Sequence, residues 1–304
     1  MRIDDIRHVL VVGTGTMGQK IALQCARFGY EVIAYDASAK SLDTAKARIP
    51  EHAADVVAQK LMTAEEATAA LSRITYTLDP EEGARADLIS ESVIEDPELK
   101  GKVFARFNAI CPAHTLFTTN TSTLLPSMFA AATGRPDKFA ALHFYGVWTK
   151  NLADIMPHPG TSPETLALLV AFAKRIGQVP TLLKKEYPGY IGNTLLGALN
   201  DAAMRMVFTD KVATIEDVDR AAMLVLGIPA GPFGWLDHVG LDTLWHITES
   251  AAKTSGDAGS QAFADMFKRE YIDKGWLGVK SGKGFYSYPN PAFLQPDFLT
   301  GSGN

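Results

Sequence analysis

The sequence predicts an α/β fold, a doubly wound sheet followed by an all-α C-terminal domain. Three observations carry that expectation. A short apolar run, Val9 to Val12, ends in Gly13-Thr-Gly15-Thr16-Met17-Gly18 and continues as an apolar-periodic stretch from Ile21 to Phe28, which reads strand, tight turn, helix. Strand-like and helix-like segments then alternate as far as Leu183, the pattern of a parallel sheet wound by crossover helices. From Gly189 onward the pattern is helical almost throughout.

Taken in order, Gly29 stops the first helix, and Glu31 to Asp36 is a second strand ending in an acid. Residues 38–72, rich in Ala, Lys, Glu and Leu, predict two helices broken near Pro50 or Thr63. Further strands are expected at Arg73–Thr77, Ala86–Ser90, Leu116–Thr119, Phe139–Phe144, Ala153–Met156 and Val179–Leu183, with helices around 97–110 and 164–176. A domain boundary is expected near Lys185, giving units of 1–185 and 186–304. A single core seldom grows past roughly 250–300 residues, so two domains suit this length. The second unit is expected to hold helices at 189–208, 214–226, 232–251 and 260–273, with a loose tail at 300–304.

Composition narrows the function. Hydrophobic residues at 47% and charged residues at 21% are ordinary for a globular protein. A net charge of −5 gives no electrostatic footprint for nucleic acid or an anionic membrane. No apolar stretch reaches the roughly 18 residues of a membrane span. The charged start, which runs straight into a strand, leaves no room for a signal or transit peptide, and the expected compartment is cytoplasmic. Cys25 lies in an apolar helical pattern and Cys111 precedes Pro112; core packing and a helix end are their expected roles, consistent with a reducing compartment. No Cys-x-x-Cys or His-Glu-x-x-His spacing occurs, so a metal is not indicated.

The glycine turn has a mechanical logic. Gly13 permits the strand-to-helix turn, Gly15 lets the backbone approach a pyrophosphate, and Gly18 lets the helix pack on the strand. The helix N-terminus at Thr16 and Met17 offers free N–H groups and a positive dipole end. The preceding strand, the following helix and the acid ending the next strand make this a Rossmann-type dinucleotide site rather than a bare turn. Asp36, about 20 residues on, would accept the ribose hydroxyls and repel a 2′-phosphate. Ala37, Ser38 and Ala39 follow it without an arginine, so NAD is favoured over NADP.

Of seven histidines, His143 stands apart, near the carboxyl end of the strand Phe139-Ala-Ala-Leu142, where open α/β sheets bind ligands. His8, His52, His114 and His158 sit in surface-like or turn contexts, and His238 and His246 on the helical stretch.

Seven segments in order resemble the 3-hydroxyacyl-CoA dehydrogenase family along nearly the whole chain: VVGTGTMG at 11–18, ISESVIED at 89–96, TTNTSTL at 118–124, KFAALHF at 138–144, YPGYIGN at 187–193, GPFGWLDHVGLD at 231–242 and KSGKGFYSY at 280–288. The resemblance implies that His143 takes the proton from a substrate hydroxyl, for which an imidazole pKa is suited. It implies a carboxylate partner, which falls on Asp154; this acid is one methylene shorter than the family's glutamate and one residue nearer the histidine. It further implies that Ser122 holds the substrate oxygen beside the histidine, that Asn193 adds a polar contact from the helical domain, that Asn120 lies near the nicotinamide ribose, and that Glu91 and Lys100 lie near the cofactor. Turn or cap hydrogen bonds are the plainer reading of Ser122 and Asn193, and a surface salt bridge that of Lys100.

The family usually reads H-F-x-N-P after the catalytic strand, whereas here His143-Phe-Tyr-Gly146-Val147 lacks the asparagine, and Trp148 either fills the space or belongs to the core. The expected activity is oxidation of a short-chain 3-hydroxyacyl-CoA. A dehydrogenase of a non-CoA hydroxy acid, similar to carnitine or gulonate dehydrogenases, and a non-catalytic NAD-binding homologue, similar to lens crystallins of this lineage, are the alternatives. For a CoA handle residues 37–72 offer Lys40, Lys46, Arg48 and Lys60. The resemblance also implies a homodimer through the helical domain, with Leu195, Leu196, Leu199 and Met206 as the apolar surface unless they are internal core.

Overall fold

The computed structural model describes residues 1–301; of the expected tail at 300–304, the last three residues lie outside the described residues. The chain forms two compact units, Met1–Thr194 and Leu195 onward. Among the described residues eight strands make one sheet: β1 (His8–Val12), β2 (Glu31–Tyr35), β3 (Ile74–Thr77), β4 (Leu88–Glu91), β5 (Leu116–Thr119), β6 (Phe139–Gly146), β7 (Lys150–Met156) and β8 (Val179–Leu182). Their order across the sheet is β3-β2-β1-β4-β5-β6-β7-β8, with the reversal between β1 and β4 that doubly wound folds place at their ligand crevice.

The expected all-parallel sheet needs one correction. β7 runs antiparallel to β6. Residues 147–149 alone join the two strands, far fewer than a parallel crossover requires. β7 also begins earlier than expected and carries one extra residue between Lys150 and Ala153, opposite Tyr145, before its register locks at Phe144↔Ala153 and His143↔Asp154.

Helices cover both faces. On one side α1 (Thr16–Arg27), α2 (Ala39–Ala58), α3 (Ala64–Ser72) and, later in the chain, the helix Pro163–Arg175 pack over Val9, Val11, Val32, Ala140 and Leu142. On the other, α4 (Pro97–Ile110) packs over Leu10, Ile33, Ile89 and Phe117. Successive strand residues point to opposite faces, which is why the apolar strands divide between two cores. Phe104 joins Phe117, Phe129 and Phe139 with centroids 5.9, 5.7 and 5.0 Å away, and each buried ring contributes on the order of 2–3 kcal/mol. The helical break expected near Pro50 or Thr63 falls at Thr63, whose capping box with Glu66 starts α3; Pro50 lies inside α2. Cys25 is buried in the first core and Cys111 caps the end of α4, and burial pushes both thiols up to about 12.

After α5 (Pro163–Arg175) and β8 the chain enters α6 (Tyr190–Met204), followed by a π-turn at Arg205–Thr209. Lys185, the expected boundary, precedes α6, whereas the two compact units divide at Thr194–Leu195, inside that helix. The second unit contains α7 (Ile215–Leu226), α8 (Pro232–Val239), α9 (Leu241–Ser255) and α10 (Ala258–Phe267). The helix expected at 232–251 is therefore two helices. Gly240, at φ 101°, takes a backbone conformation that ends α8, although the apolar periodicity runs on. The buried Asp219 accepts the Phe233 and Gly234 N–H groups at 2.9 Å each and so caps α8. No helix among the described residues is long and apolar enough to cross a membrane.

Candidate active site

The glycine turn sits at the carboxyl ends of β1 and β4. Gly13, at φ 95°, donates to the Tyr35 carbonyl at 2.9 Å, and a Cβ there would meet the Ser92 carbonyl oxygen at 2.7 Å. A Cβ on Gly18 would overlap the Gly13 carbonyl, so this glycine serves helix packing. Gly15 differs: nothing lies within 4 Å of its Cβ position, and it caps α1 without a side-chain hydrogen bond. The first-turn N–H groups at Thr16 and Met17 therefore carry no side-chain cap, beside the space a pyrophosphate requires.

Asp36 follows β2 and is hooked to this turn. Its Oδ2 accepts the Thr14 N–H at 2.8 Å and the Thr14 hydroxyl at 2.9 Å, while Oδ1 accepts the Ser38 N–H at 2.9 Å. A cavity of about 490 Å³ opens here, lined among others by Gly13, Gly15, Asp36, Ser92, Ile94 and Arg106. Its open glycine, helix terminus and carboxylate fit an adenosine diphosphate moiety.

Glu91 and Lys100 are not a surface pair. They are 0% and 1% exposed and 2.7 Å apart. Glu91 also accepts the Thr119 hydroxyl at 2.6 Å and the Val93 N–H at 2.8 Å; burial pushes its carboxyl up, against the Lys100 charge and these donors. Lys100 reaches Glu95 at 3.3 Å.

Glu95, which sequence reasoning did not single out, organises the loop after β5. It accepts the Ser122 and Thr123 N–H groups at 2.8 and 3.0 Å and the hydroxyls of Thr121 and Thr123. Burial raises its pKa, but these donors and the Lys100 charge outweigh it and hold the carboxyl below its ordinary value. The result fixes the backbone of Ser122, whose side chain is exposed. Asn120 turns the other way, and its Oδ1 accepts the Phe144 N–H at 2.9 Å. An acid four residues after Glu91 in the 89–96 segment was the available signal for Glu95.

His143 lies on β6, 5% exposed, with Tyr190 stacked on it at 4.7 Å and Tyr145 edge-on at 4.5 Å. Burial drives its pKa down to about 4, against the opposing charges of Asp154 and Glu95. The imidazole is thus neutral at pH 7 and able to accept a proton. Asp154 is its register partner on β7, and Thr181 is the partner of Asp154 on β8, so the three side chains form a row on one sheet face. The implied histidine–carboxylate hydrogen bond is absent: His143 Nδ1 is buried without a partner. The shorter acid is engaged elsewhere. Asp154 Oδ1 accepts the Thr181 hydroxyl, while Oδ2 accepts the Tyr145 hydroxyl at 2.7 Å and the Ile191 and Gly192 N–H groups at 3.0 and 3.3 Å. Asp154 thereby caps the first turn of α6, which holds Asn193.

Tyr190 precedes these N–H groups with φ 56°, an uncommon conformation for a bulky side chain, and its hydroxyl is buried without a partner. Trp148 belongs to the core edge, beside His52 and Lys20 rather than in this site. His158, placed by sequence in a surface-like or turn context, is 8% exposed and contacts the Pro136 carbonyl at 2.9 Å.

An open glycine turn at a helix N-terminus and a buried, neutral imidazole on one sheet are features that a nicotinamide-dependent dehydrogenase requires. The profile of the 3-hydroxyacyl-CoA dehydrogenase NAD binding domain matches residues 8–187, and that of the family's C-terminal domain matches residues 189–288. The chain belongs to the 3-hydroxyacyl-CoA dehydrogenase family: it is an NAD-dependent oxidoreductase.

It is 31% identical over 285 residues to the probable 3-hydroxybutyryl-CoA dehydrogenase of Bacillus subtilis, covering 93% of this chain and 98% of that one. It is 33% identical over 290 residues to the human mitochondrial hydroxyacyl-coenzyme A dehydrogenase, covering 93% and 91%. A solved structure reported for the substrate-directed dual catalysis of dicarbonyl compounds by diketoreductase superposes with a TM-score of 0.85 at 41% identity, covering 93% of this chain and 99% of that one.

Proposed function

We propose that the protein oxidises the 3-hydroxyl of a short-chain 3-hydroxyacyl-CoA to the 3-oxo form, with His143 as general base. The observation that carries the reading is the buried imidazole, kept neutral on the carboxyl edge of the sheet that also bears the nucleotide cradle. NAD, when bound, supplies the hydride acceptor. Ser122 holds the substrate oxygen beside His143, and Asn193 adds a polar contact from α6. Asp154 stabilises the imidazolium through its charge, from the neighbouring strand. Gly13, Gly15, Thr16, Met17, Gly18 and Asp36 hold the adenosine and pyrophosphate, and Asn120, Glu91 and Lys100 support the nicotinamide side. The unit before 185 binds the cofactor. The unit from 186 binds the acyl-CoA substrate and pairs two copies into a homodimer. The largely unburied apolar residues of α6, with Leu195 68% exposed, support such a contact. We assign the protein to the cytoplasm and to fatty acid metabolism.

One specific observation favours a second reading, a dicarbonyl or hydroxy-acid substrate without CoA: the 41% identity to the diketoreductase. The cations offered as a CoA handle also include Lys46 and Arg48, which pair with Asp43 and Glu51 on their own helix. The experiment is NADH oxidation with a panel of oxo-substrates, compared with His143→Gln. Turnover of acetoacetyl-CoA but not of free 3-oxo acids or diketones supports the first reading, and the reverse preference the second. Full activity in His143→Gln rejects both.

A further inference from the structure

We propose that Tyr145 is a positioning residue, the link through which Asp154 fixes Asn193 and Tyr190 around His143 in place of a direct histidine–carboxylate hydrogen bond. The inference rests on the reading of His143 as proton acceptor.

The argument begins with the length of the acid. Aspartate at 154 is opposite His143, yet Nδ1 of the imidazole has no partner. The Tyr145 hydroxyl stands at the junction instead. It donates to Asp154 Oδ2 at 2.7 Å and accepts the Asn193 N–H at 3.0 Å. Its ring lies edge-on to the imidazole at 4.5 Å. One phenol therefore touches the acid, the base and the start of the substrate-side helix.

Two features show that this path is built rather than incidental. The extra β7 residue opposite Tyr145 changes the register just where the phenol leaves the strand. Gly192 admits it: a Cβ at 192 would meet the Tyr145 Cζ at 2.6 Å. A ring serving packing alone needs neither the hydroxyl nor its two hydrogen bonds. Asp154 and Tyr145 together satisfy three successive N–H groups, those of Ile191, Gly192 and Asn193, that a helix start otherwise leaves without partners. Tyr190, immediately before them, is held over the imidazole by the same anchorage.

The charged and titratable groups facing His143 are Asp154 on β7, Glu95 from the loop after β4, Tyr145 on β6 and Tyr190 at the start of α6. Of these, Asp154 loses a hydrogen-bond donor when the Tyr145 hydroxyl is removed, and its freed lone pair then favours a protonated His143.

The test combines Tyr145→Phe and Asp154→Glu, singly and together. Kinetics give kcat and KM, and NMR gives the titration of the His143 ring. Tyr145→Phe is expected to lower kcat about 10- to 100-fold, as small misplacements of reacting groups do, with the KM for NAD within about twofold of wild type. His143 is expected to titrate at higher pH in this variant. In Asp154→Glu the longer acid reaches Nδ1, so adding Tyr145→Phe costs less than about threefold. Equal losses in both backgrounds, or an unmoved His143 titration, overturn the proposal. Should Tyr145→Phe fail to fold, Asp154→Glu decides: there a raised His143 titration supports the link, and an unchanged one overturns it. Full activity in His143→Gln would reject the proton-acceptor reading separately, because the titration reads the link without turnover.

Discussion

His143 faces Asp154 across the β6–β7 pair, but the carboxylate is spent on Tyr145, Thr181 and the first turn of α6. The imidazole is left with charge nearby and no hydrogen bond to its Nδ1. The consequences for pH are direct.

With its pKa down at about 4, His143 is neutral across the neutral range, so alcohol oxidation is expected to stay level well below the usual histidine value and fall only toward pH 4. The same shift acts on stability. An unfolded histidine binds a proton near pH 6.5 and the folded one does not, so stability is fully present above that value and declines as pH falls from 6.5 toward 4. The loss is of the order of 3 kcal/mol. Rate profiles and urea unfolding at several pH values check both. A rate profile breaking at the ordinary histidine value contradicts the burial argument.

The glycine turn predicts a split between folding and binding. Gly15→Ala places its methyl in open space, so melting temperature should hold while NAD affinity falls by about tenfold or more, the methyl obstructing close approach of phosphate. Gly13→Ala forces a side chain onto the Ser92 carbonyl at φ 95° and should destabilise the fold by more than 1 kcal/mol. Thermal melts with NAD titration calorimetry separate the two. A destabilised Gly15→Ala is the contrary result.

Lys100→Met leaves Glu91 as an uncompensated buried charge and is expected to cost about 3–5 kcal/mol. Adding Glu91→Gln removes the charge as well, so the double variant should be more stable than the sum of the single losses. Urea midpoints for the three variants give the answer, and strict additivity would show that the pair is not coupled.

On the proposed assignment, Asp36→Ala removes both the acceptor of the ribose diol and the charge that repels a 2′-phosphate. NAD affinity should fall about tenfold and the preference over NADP should shrink, since Arg106 already lines the cavity. Competitive titration of the two nucleotides measures this, and an unchanged ratio contradicts the assignment.

The sequence made the strands, the glycine turn and His143 legible because each is local: an apolar run, a spacing, a histidine at a strand's carboxyl end. Strand direction is not local. Apolar periodicity says nothing of whether β7 runs with or against β6; the readable clue was that residues 145–152, all that the expected strands leave between them, are too few for a parallel crossover. Gly240 was hidden inside a continuous helical pattern, since only its positive φ breaks the helix. Lys100 reads equally well as a surface salt-bridge partner until the sheet places Glu91 beside it, both of them buried. Tyr145 and Tyr190 look like ordinary aromatics, and their roles arise where β6, β7 and the start of α6 converge.

The short turn at 147–149 gives the active site an adjustable length. Histidine and acid are carried on adjoining arms of one hairpin, so a residue gained or lost at its tip slides one arm past the other, and a bulge can absorb the slip before it reaches the pair. Insertions and deletions here would change the span between imidazole and carboxylate without disturbing the crossovers that carry the glycine turn. Divergence toward new substrates has in this hairpin a place to act by spacing alone.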